Sequence, residues 1–332
     1  MNVKERIQEF REKFNPLFEQ EVLRILKEQS SLSQKDFESD KQLENILIPY
    51  SKGGKRIRAF LIYYFSGRDI DDPELQNICL AMELFHLMAL IHDDIIDESN
   101  MRHGVPTLHY GMKSLEKNNS HLAHDIAILY GDLFLAKSFE QAALLPKEVF
   151  VEFSKMVSRT VRGQYIDSIG MNYPYGETSR EELMDRHILK TSWYTFASPA
   201  RLGAMLSGGN IEPDAITHSL LDLGTLFQIR DDIIDCVDVN QGKEMFADIF
   251  ENQTTWVTLY LKENHPLLFD RLIKAKDNQD KEELRKIFAE VNIKNVYQEI
   301  FTETENRIIN KISDNAVYQE KISSLMQLLK LD

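Results

Sequence analysis

Apolar residues recur along this chain at spacings of three and four. Val3, Ile7, Phe10 and Phe14 form one such stripe, and Leu284, Ile287, Phe288 and Val291 form another. That spacing marks one face of an α-helix. Longer apolar-faced segments run from about Leu75 to Asp97, His121 to Leu144, Val149 to Ile169, Glu181 to Leu206 and Ala215 to Val237. Several are far longer than the ordinary helix of about 11–12 residues. The period-two alternation of a half-buried strand is nearly absent. In MNYPYGETSREEL, Ser179 followed three residues later by Glu182 reads as a capping box. No Pro/Gly/Ser-rich linker divides the chain, and no repeat shows at a fixed period. The pattern predicts an all-α protein, a single large bundle of long helices over residues 1–332.

Composition narrows the function. The 332 residues carry a net charge of −14, which argues against nucleic acid or an anionic membrane as the main partner. Cys79 and Cys236 are the only cysteines; they lack metal-ligand or disulfide-framework spacing and suit a reducing compartment. MNVKERIQEFREKF is charged throughout, with no apolar core of a secretory signal. No apolar run approaches the roughly 20 residues of a membrane span. The expectation is a soluble, cytoplasmic protein.

One pentapeptide, DDIID, occurs twice, in MALIHDDIIDESNMRHGVP and in LFQIRDDIIDCVDVNQGK. Each copy ends an apolar run, where aspartate is a mediocre helix former and opposes the helix dipole. Residues four apart share a helix face, so Asp93 pairs with Asp97 and Asp231 with Asp235, while Asp94 and Asp232 sit about 100° around the axis. A single acidic cluster is most simply a solvated face. Here the flanks LMALI and LFQI read as buried, and the cluster recurs on a distant helix. Five or six convergent carboxylates cannot all ionise in a pocket without cations. Oxygen-only ligands favour Mg²⁺ or Mn²⁺, completed by water and substrate phosphates. A diphosphate ester fits.

Positive groups stand nearby in sequence. SKGGKRIRAF offers Lys52, Lys55, Arg56 and Arg58 around Gly53 and Gly54. Glycines admit an anion close to the backbone, and lysine and arginine bind phosphate oxygens. No Ser or Thr follows Lys55, so this is not a Walker A loop; a basic surface loop explains it about equally well. Arg102 follows the first DDIID, and Lys190–Thr191 open KTSWYTFASP. Two anionic substrates are implied, one chelated through metal and one held by side chains.

Taken together, these stretches resemble the trans-polyprenyl diphosphate synthases of the isoprenoid synthase class I fold. The resemblance rests on GGKRIR, ELFHLMALIHDDIIDESNMRHGVPTLH, GDLFLAKSF, GQYID, KTSWYTF and GTLFQIRDDIID, in order and over nearly the whole chain. It implies a bundle of long helices around a deep central cavity, usually in a homodimer. It also implies a reaction: an allylic diphosphate, ionised with the help of Mg²⁺, is attacked by the double bond of isopentenyl diphosphate, and the chain grows by five carbons. By the same resemblance, Asp93, Asp97 and Asp231 are the principal metal ligands, with Asp94, Asp232 and Asp235 supporting and three ions present once diphosphate is bound. Lys55, Arg58 and His86 would hold isopentenyl diphosphate. Arg102, Lys190 and Gln228 would hold the allylic diphosphate, with Gln164 and Thr191 nearby and Phe227 helping to keep water out. Residues four and five before the first DDIID, Ala89 and Met88, with Phe85 one turn deeper, would set product length. Since neither Ala89 nor Met88 is aromatic, a C20 product is expected, with C15 the alternative.

The sequence departs from the family pattern in three places. His103 stands where a second arginine is usual, so it is counted among the substrate-binding candidates. Gln253 replaces a lysine after the second motif, and Ala59 replaces a proline. The thinned positive charge leaves open two other readings: a terpene-cyclase-like lyase that ionises one diphosphate without condensing it, or a non-catalytic subunit of a heteromeric synthase.

Overall fold

The computed structural model describes residues 2–33, 37–115, 121–170, 173–237, 245–312 and 316–331. In chain order its α-helices are α1 (Val3–Ser31), α2 (Glu38–Lys52), α3 (Ile57–Ser66), α4 (Pro73–Ile96), α5 (Leu108–Gly111), α6 (Leu122–Ala142), α7 (Lys147–Gly170), α8 (Arg180–Arg186), α9 (Ser198–Met205) and α10 (Pro213–Cys236). After these come α11 (Ala247–Phe250), α12 (Trp256–Asn264), α13 (Pro266–Asp277), α14 (Lys281–Val291), α15 (Ile293–Lys311) and α16 (Ala316–Met326). Two two-residue strands, β1 (Met101–Arg102) and β2 (Val105–Pro106), make one antiparallel hairpin. The chain is all-α in class, and no helix among the described residues is long and apolar enough to cross a membrane.

Two compact units emerge. The first takes in the chain up to Ser154 together with 199–211; the second comprises 155–198 and the chain from Glu212 onward. In the first, the predicted stripe of α1 is buried as read: Val3, Ile7, Phe10 and Phe14, continued by Phe18 and Val22. Phe10 lies 5.2 Å from Phe14 and edge-on to Phe60 of α3 at 5.9 Å. Helix α4 starts at a built N-terminus, where Asp72 accepts from Leu75 N–H at 3.0 Å and Pro73 takes the first turn. It is apolar on most sides because α3 and α6 cover it.

The second unit corrects one expectation. The apolar run from Glu181 to Leu206 is helical nearly throughout but not α-helical throughout. The capping box of Ser179 and Glu182 forms and opens α8, but residues His187–Ala197 are a π-helix before α9 resumes. Apolar periodicity does not register the extra residue a π turn accommodates. What the widened segment packs against is legible afterwards in two glycines. A Cβ on Gly163 of α7 would come within 2.7 Å of Lys190 N, and one on Gly224 of α10 within 2.5 Å of Ser192 Cα. Only glycine lets these two helices lie so close on the π-helix.

Candidate active site

In the first unit the site residues gather on α4 and the two loops beside it. Much of α4 is buried, but one row stays partly open: His86, Ala89, Leu90 and Asp93, ending in exposed Asp97 at the helix C-cap. Spacings of three and four place these on one face. At the deep end of the row, Arg58 Nη1 lies 3.1 Å from His86 Nε2. Arginine only donates, so Nε2 accepts and the ring proton resides on Nδ1. Burial, then the charges of Arg58 and Arg56, push the His86 pKa well below its usual value, and the ring is neutral. Lys55 is exposed on the same loop.

At the shallow end, Arg102 donates to Asp94 Oδ1 at 2.6 Å and reaches Asp93 Oδ2 at 3.4 Å. Asp94 is fully buried, and its other oxygen accepts from Tyr50 of α2 at 2.5 Å. Burial pushes its pKa up, against Tyr50 and Arg102. Both Asp94 oxygens are therefore engaged by protein donors; Asp93 is half-buried and Asp97 exposed. Arg102 is fixed by the hairpin, in which His103 (φ 51°) and Gly104 (φ 82°) are the two central turn residues. Two positive φ values in a two-residue loop match the right-handed twist of the flanking strands. The His103 ring packs on Gly53, where an added Cβ would meet Cδ2 at 3.0 Å. That contact brings the SKGGKR loop and the segment after the first DDIID together. Burial, then Arg102 and Lys55, lower the His103 pKa.

Of the product-length candidates, Ala89 shares the open row, while Met88 and Phe85 are buried. Phe85 stands edge-on to Phe153 of α7 at 6.3 Å. The SKGGKR loop differs from a uniformly basic surface: Arg56 is buried, and Lys52 pairs with Glu19 at 3.3 Å.

The second unit repeats the arrangement on α10. Asp231 is half-exposed and Asp232 is buried. Asp232 Oδ1 accepts from Gln228 Nε2 at 2.9 Å and Oδ2 from Trp256 N–H at 2.8 Å. Gln228 in turn accepts from Thr191 Oγ1 at 2.9 Å. Burial foremost lifts the Asp232 pKa to about 7, and burial drops neighbouring His187 to about 3. Asp235 Oδ1 accepts from Ala247 N–H at 3.1 Å. Lys190 donates to Asp167 of the GQYID stretch, which also faces Arg186 Nε at 3.4 Å. Gln164 Nε2 is buried with no hydrogen-bond partner among the described residues. Phe227 lies 5.3 Å from Phe196. Gln253 donates to Glu251 at 3.1 Å.

These carboxylates suit a hard cation shared with a ligand rather than a cage made by protein alone. No three Asp, Glu, His or Cys side chains close on one point among the described residues. In each unit the members not wholly buried, Asp93 and Asp97 in the first and Asp231 in the second, are oxygen ligands only. Carboxylates so few in either unit would leave most of an octahedral shell to water and phosphate oxygens, as Mg²⁺ prefers. Sequence reading missed Tyr50, Glu83, Asp167 and Arg186. Glu83 carried a signal: a lone acid inside the apolar run CLAMELFHLMAL implies a buried partner.

Comparisons with known proteins identify the family. The polyprenyl synthetase family model matches residues 40–291. The short chain isoprenyl diphosphate synthase of Methanocaldococcus jannaschii is 32% identical over 254 residues, covering 73% of this chain and 69% of that protein. The geranylgeranyl diphosphate synthase of Sulfolobus acidocaldarius is 31% identical over 223 residues, covering 62% of each. Among solved structures, the geranylgeranyl pyrophosphate synthase from Corynebacterium glutamicum, complexed with isoprenyl diphosphate and magnesium, superposes with a TM-score of 0.76 at 21% identity. That superposition covers 96% of this chain and 98% of that one. At 21% the superposition speaks for the fold alone, but the sequence match runs through both units. The chain belongs to the polyprenyl synthetase family of prenyltransferases.

Proposed function

We propose that this prenyltransferase joins isopentenyl diphosphate to an allylic diphosphate and releases a trans-prenyl diphosphate, C20 in the main and C15 as the shorter alternative. The observation that carries the reading is the open row on α4. His86, held by Arg58, and Asp93, flanked by Arg102, are seven residues apart on one helix, about 10 Å at 1.5 Å per residue. That is room for two separate anions.

In this reading Lys55, Arg58 and His86 hold the diphosphate of isopentenyl diphosphate. Neutral His86 keeps Arg58 in line through Nε2. Arg102 binds the allylic diphosphate, and Asp94 and Tyr50 fix its direction. Lys190, Thr191 and Gln228 serve that same anion, with the unspent Nε2 donor of Gln164 beside them. Asp93, Asp97 and Asp231 would hold Mg²⁺, which, when bound, withdraws charge from the departing diphosphate. Asp94, Asp232 and Asp235 hold neighbouring groups in place. Phe227 and Phe196 keep water from the allylic cation, which the isopentenyl double bond attacks before a proton is lost. Small Ala89 and flexible Met88 leave room for a medium tail. The protein is proposed to work as a homodimer, which light scattering tests.

The deciding experiment incubates purified protein with Mg²⁺, labelled isopentenyl diphosphate and C5, C10 or C15 allylic primers. Elongated labelled products are expected. Primer ionised without elongation would make the chain a lyase, and no conversion of any primer would make it a non-catalytic subunit.

A further inference from the structure

Arg56 lies between two residues assigned to isopentenyl diphosphate, yet it is turned away from solvent. Its backbone adopts the left-handed conformation (φ 53°), just after Gly54 at φ 115°. L side chains rarely hold that conformation, and it persists where surroundings over-determine it. The surroundings do so here. The guanidinium donates from Nε to Asn15 of α1 at 2.9 Å, from Nη1 to Glu83 of α4 at 2.9 Å, and from Nη2 to the carbonyl of Ser51. Its carbon sits 4.5 Å from the centre of the Phe18 ring. Arg56 is 6% exposed and Glu83 2%, and the second oxygen of Glu83 has no hydrogen-bond partner among the described residues.

The geometry also sets a register. Glu83 and His86 are three apart on α4, so they share a face. Arg56 and Arg58 are two apart where the loop enters α3. Arg56 on Glu83 and Arg58 on His86 at 3.1 Å are thus two rungs joining the loop to the helix. The first rung is buried and the second faces the open row.

We infer that Arg56 and Glu83 are positioning residues for isopentenyl diphosphate: their buried pair fixes the loop from which Lys55 and Arg58 reach the ligand, and neither touches it. The inference rests on the proposed assignment of Lys55, Arg58 and His86 to that substrate. A lysine at 56 offers one compact charge in place of a planar fork and cannot satisfy three directions at once. Replacing both partners by apolar side chains removes the buried charges together, which protein interiors tolerate. It does not restore the tethers to Asn15 and Ser51.

The test titrates isopentenyl diphosphate alone, and separately a non-reactive farnesyl thiodiphosphate, into Mg²⁺-loaded protein by calorimetry. Wild type, Arg56→Lys and the double variant Arg56→Met/Glu83→Met are compared, with far-UV circular dichroism and Tm as fold checks. The expected result is a folded double variant with isopentenyl diphosphate bound at least tenfold more weakly and the farnesyl analogue within twofold of wild type. Arg56→Lys should lose at least fivefold with the same selectivity, and it serves alone if the double variant does not fold. Isopentenyl diphosphate affinity within twofold of wild type in either folded variant overturns the inference, as does equal weakening of both ligands. Wild type that binds the farnesyl analogue but no isopentenyl diphosphate is a separate outcome. It removes the substrate assignment itself, and the positioning role with it.

Discussion

Gly224→Ala puts a methyl group where none fits. The added carbon would lie 2.5 Å from Ser192 Cα and 2.8 Å from its Cβ. Ordinary contact begins at 3.4 Å, so the π-helix or α10 must back away by about 0.9 Å, the difference of those two distances. The obstacle is backbone, which has no rotamer to escape into. Overpacking of this kind costs about 1–3 kcal/mol, while alanine for glycine in a helix interior returns about 1 kcal/mol. The net loss of stability is therefore small, about 0–2 kcal/mol. The effect on chemistry is larger. Lys190 and Thr191 stand immediately before Ser192, and a displacement of about 1 Å in a catalytic group can cost about 100-fold. We predict a fall of about 10- to 100-fold in kcat/KM for the allylic primer, or about 1.4–2.7 kcal/mol of transition-state stabilisation. The assay is condensation of labelled isopentenyl diphosphate with a C15 primer, alongside thermal unfolding. Gly163→Ala, whose methyl would lie 2.7 Å from Lys190 N, should behave alike. Gly170→Ala is the control, because its methyl meets only Arg186 Nη1 at 3.5 Å. A Gly224→Ala enzyme within twofold of wild type in kcat/KM would refute the reasoning, as would a rate loss that follows the unfolded fraction.

Asp93→Ala and Asp231→Ala should each lower turnover by orders of magnitude with the helical spectrum intact; near-normal rates at saturating Mg²⁺ and substrate would remove the metal assignment. Met88→Phe should shorten the product and Phe85→Ala lengthen it, read by chromatography of the dephosphorylated alcohols. Phe85→Ala should also lower stability by about 3–5 kcal/mol, because Phe85 is buried against Phe153; unchanged lengths in both variants would move the tail's floor elsewhere. His103 is held below its ordinary pKa by burial, Arg102 and Lys55, so above neutral pH it binds an anion uncharged and takes up a proton only as pH falls. KM for isopentenyl diphosphate should therefore rise as pH climbs through the lowered His103 pKa, below about 6.5, and level off above neutrality, and His103→Arg should flatten that rise; parallel curves for the two proteins would leave His103 a bystander.

The helices were legible because their apolar stripes were long. That Asp93 and Asp97 share the partly open face of α4 was legible from their four-residue spacing. The division of labour within DDIID was not. Asp94 and Asp232 look identical to their neighbours in sequence, and only the positions of Tyr50 and of Trp256 N–H show that they face inward. Arg56 was read as one more phosphate-binding cation because charge is visible in sequence and backbone φ is not. The π-helix escaped for a related reason: KTSWYTF has the apolar residues of an ordinary helix, and its width depends on what Gly163 and Gly224 allow.

The π-helix also governs how this chain tolerates changes of length. A π turn closes its hydrogen bonds at i→i+5, one residue later than an α turn. Deleting one residue between 192 and 196 would let the ladder close at i→i+4, with no N–H left over. The deletion is locally silent. An α-helical residue advances about 100°, and a π turn takes in one more residue without passing that rotation on. With one such residue removed, α9 would keep the phase in which Ala200, Leu202 and Ala204 are buried. Gly203 would stay against the carbonyl of Ile62, which an added Cβ would approach to 2.3 Å. The stretch is a length of slack in the polypeptide: the fold should tolerate a one-residue deletion there, whereas the same deletion inside α9 would turn those residues out.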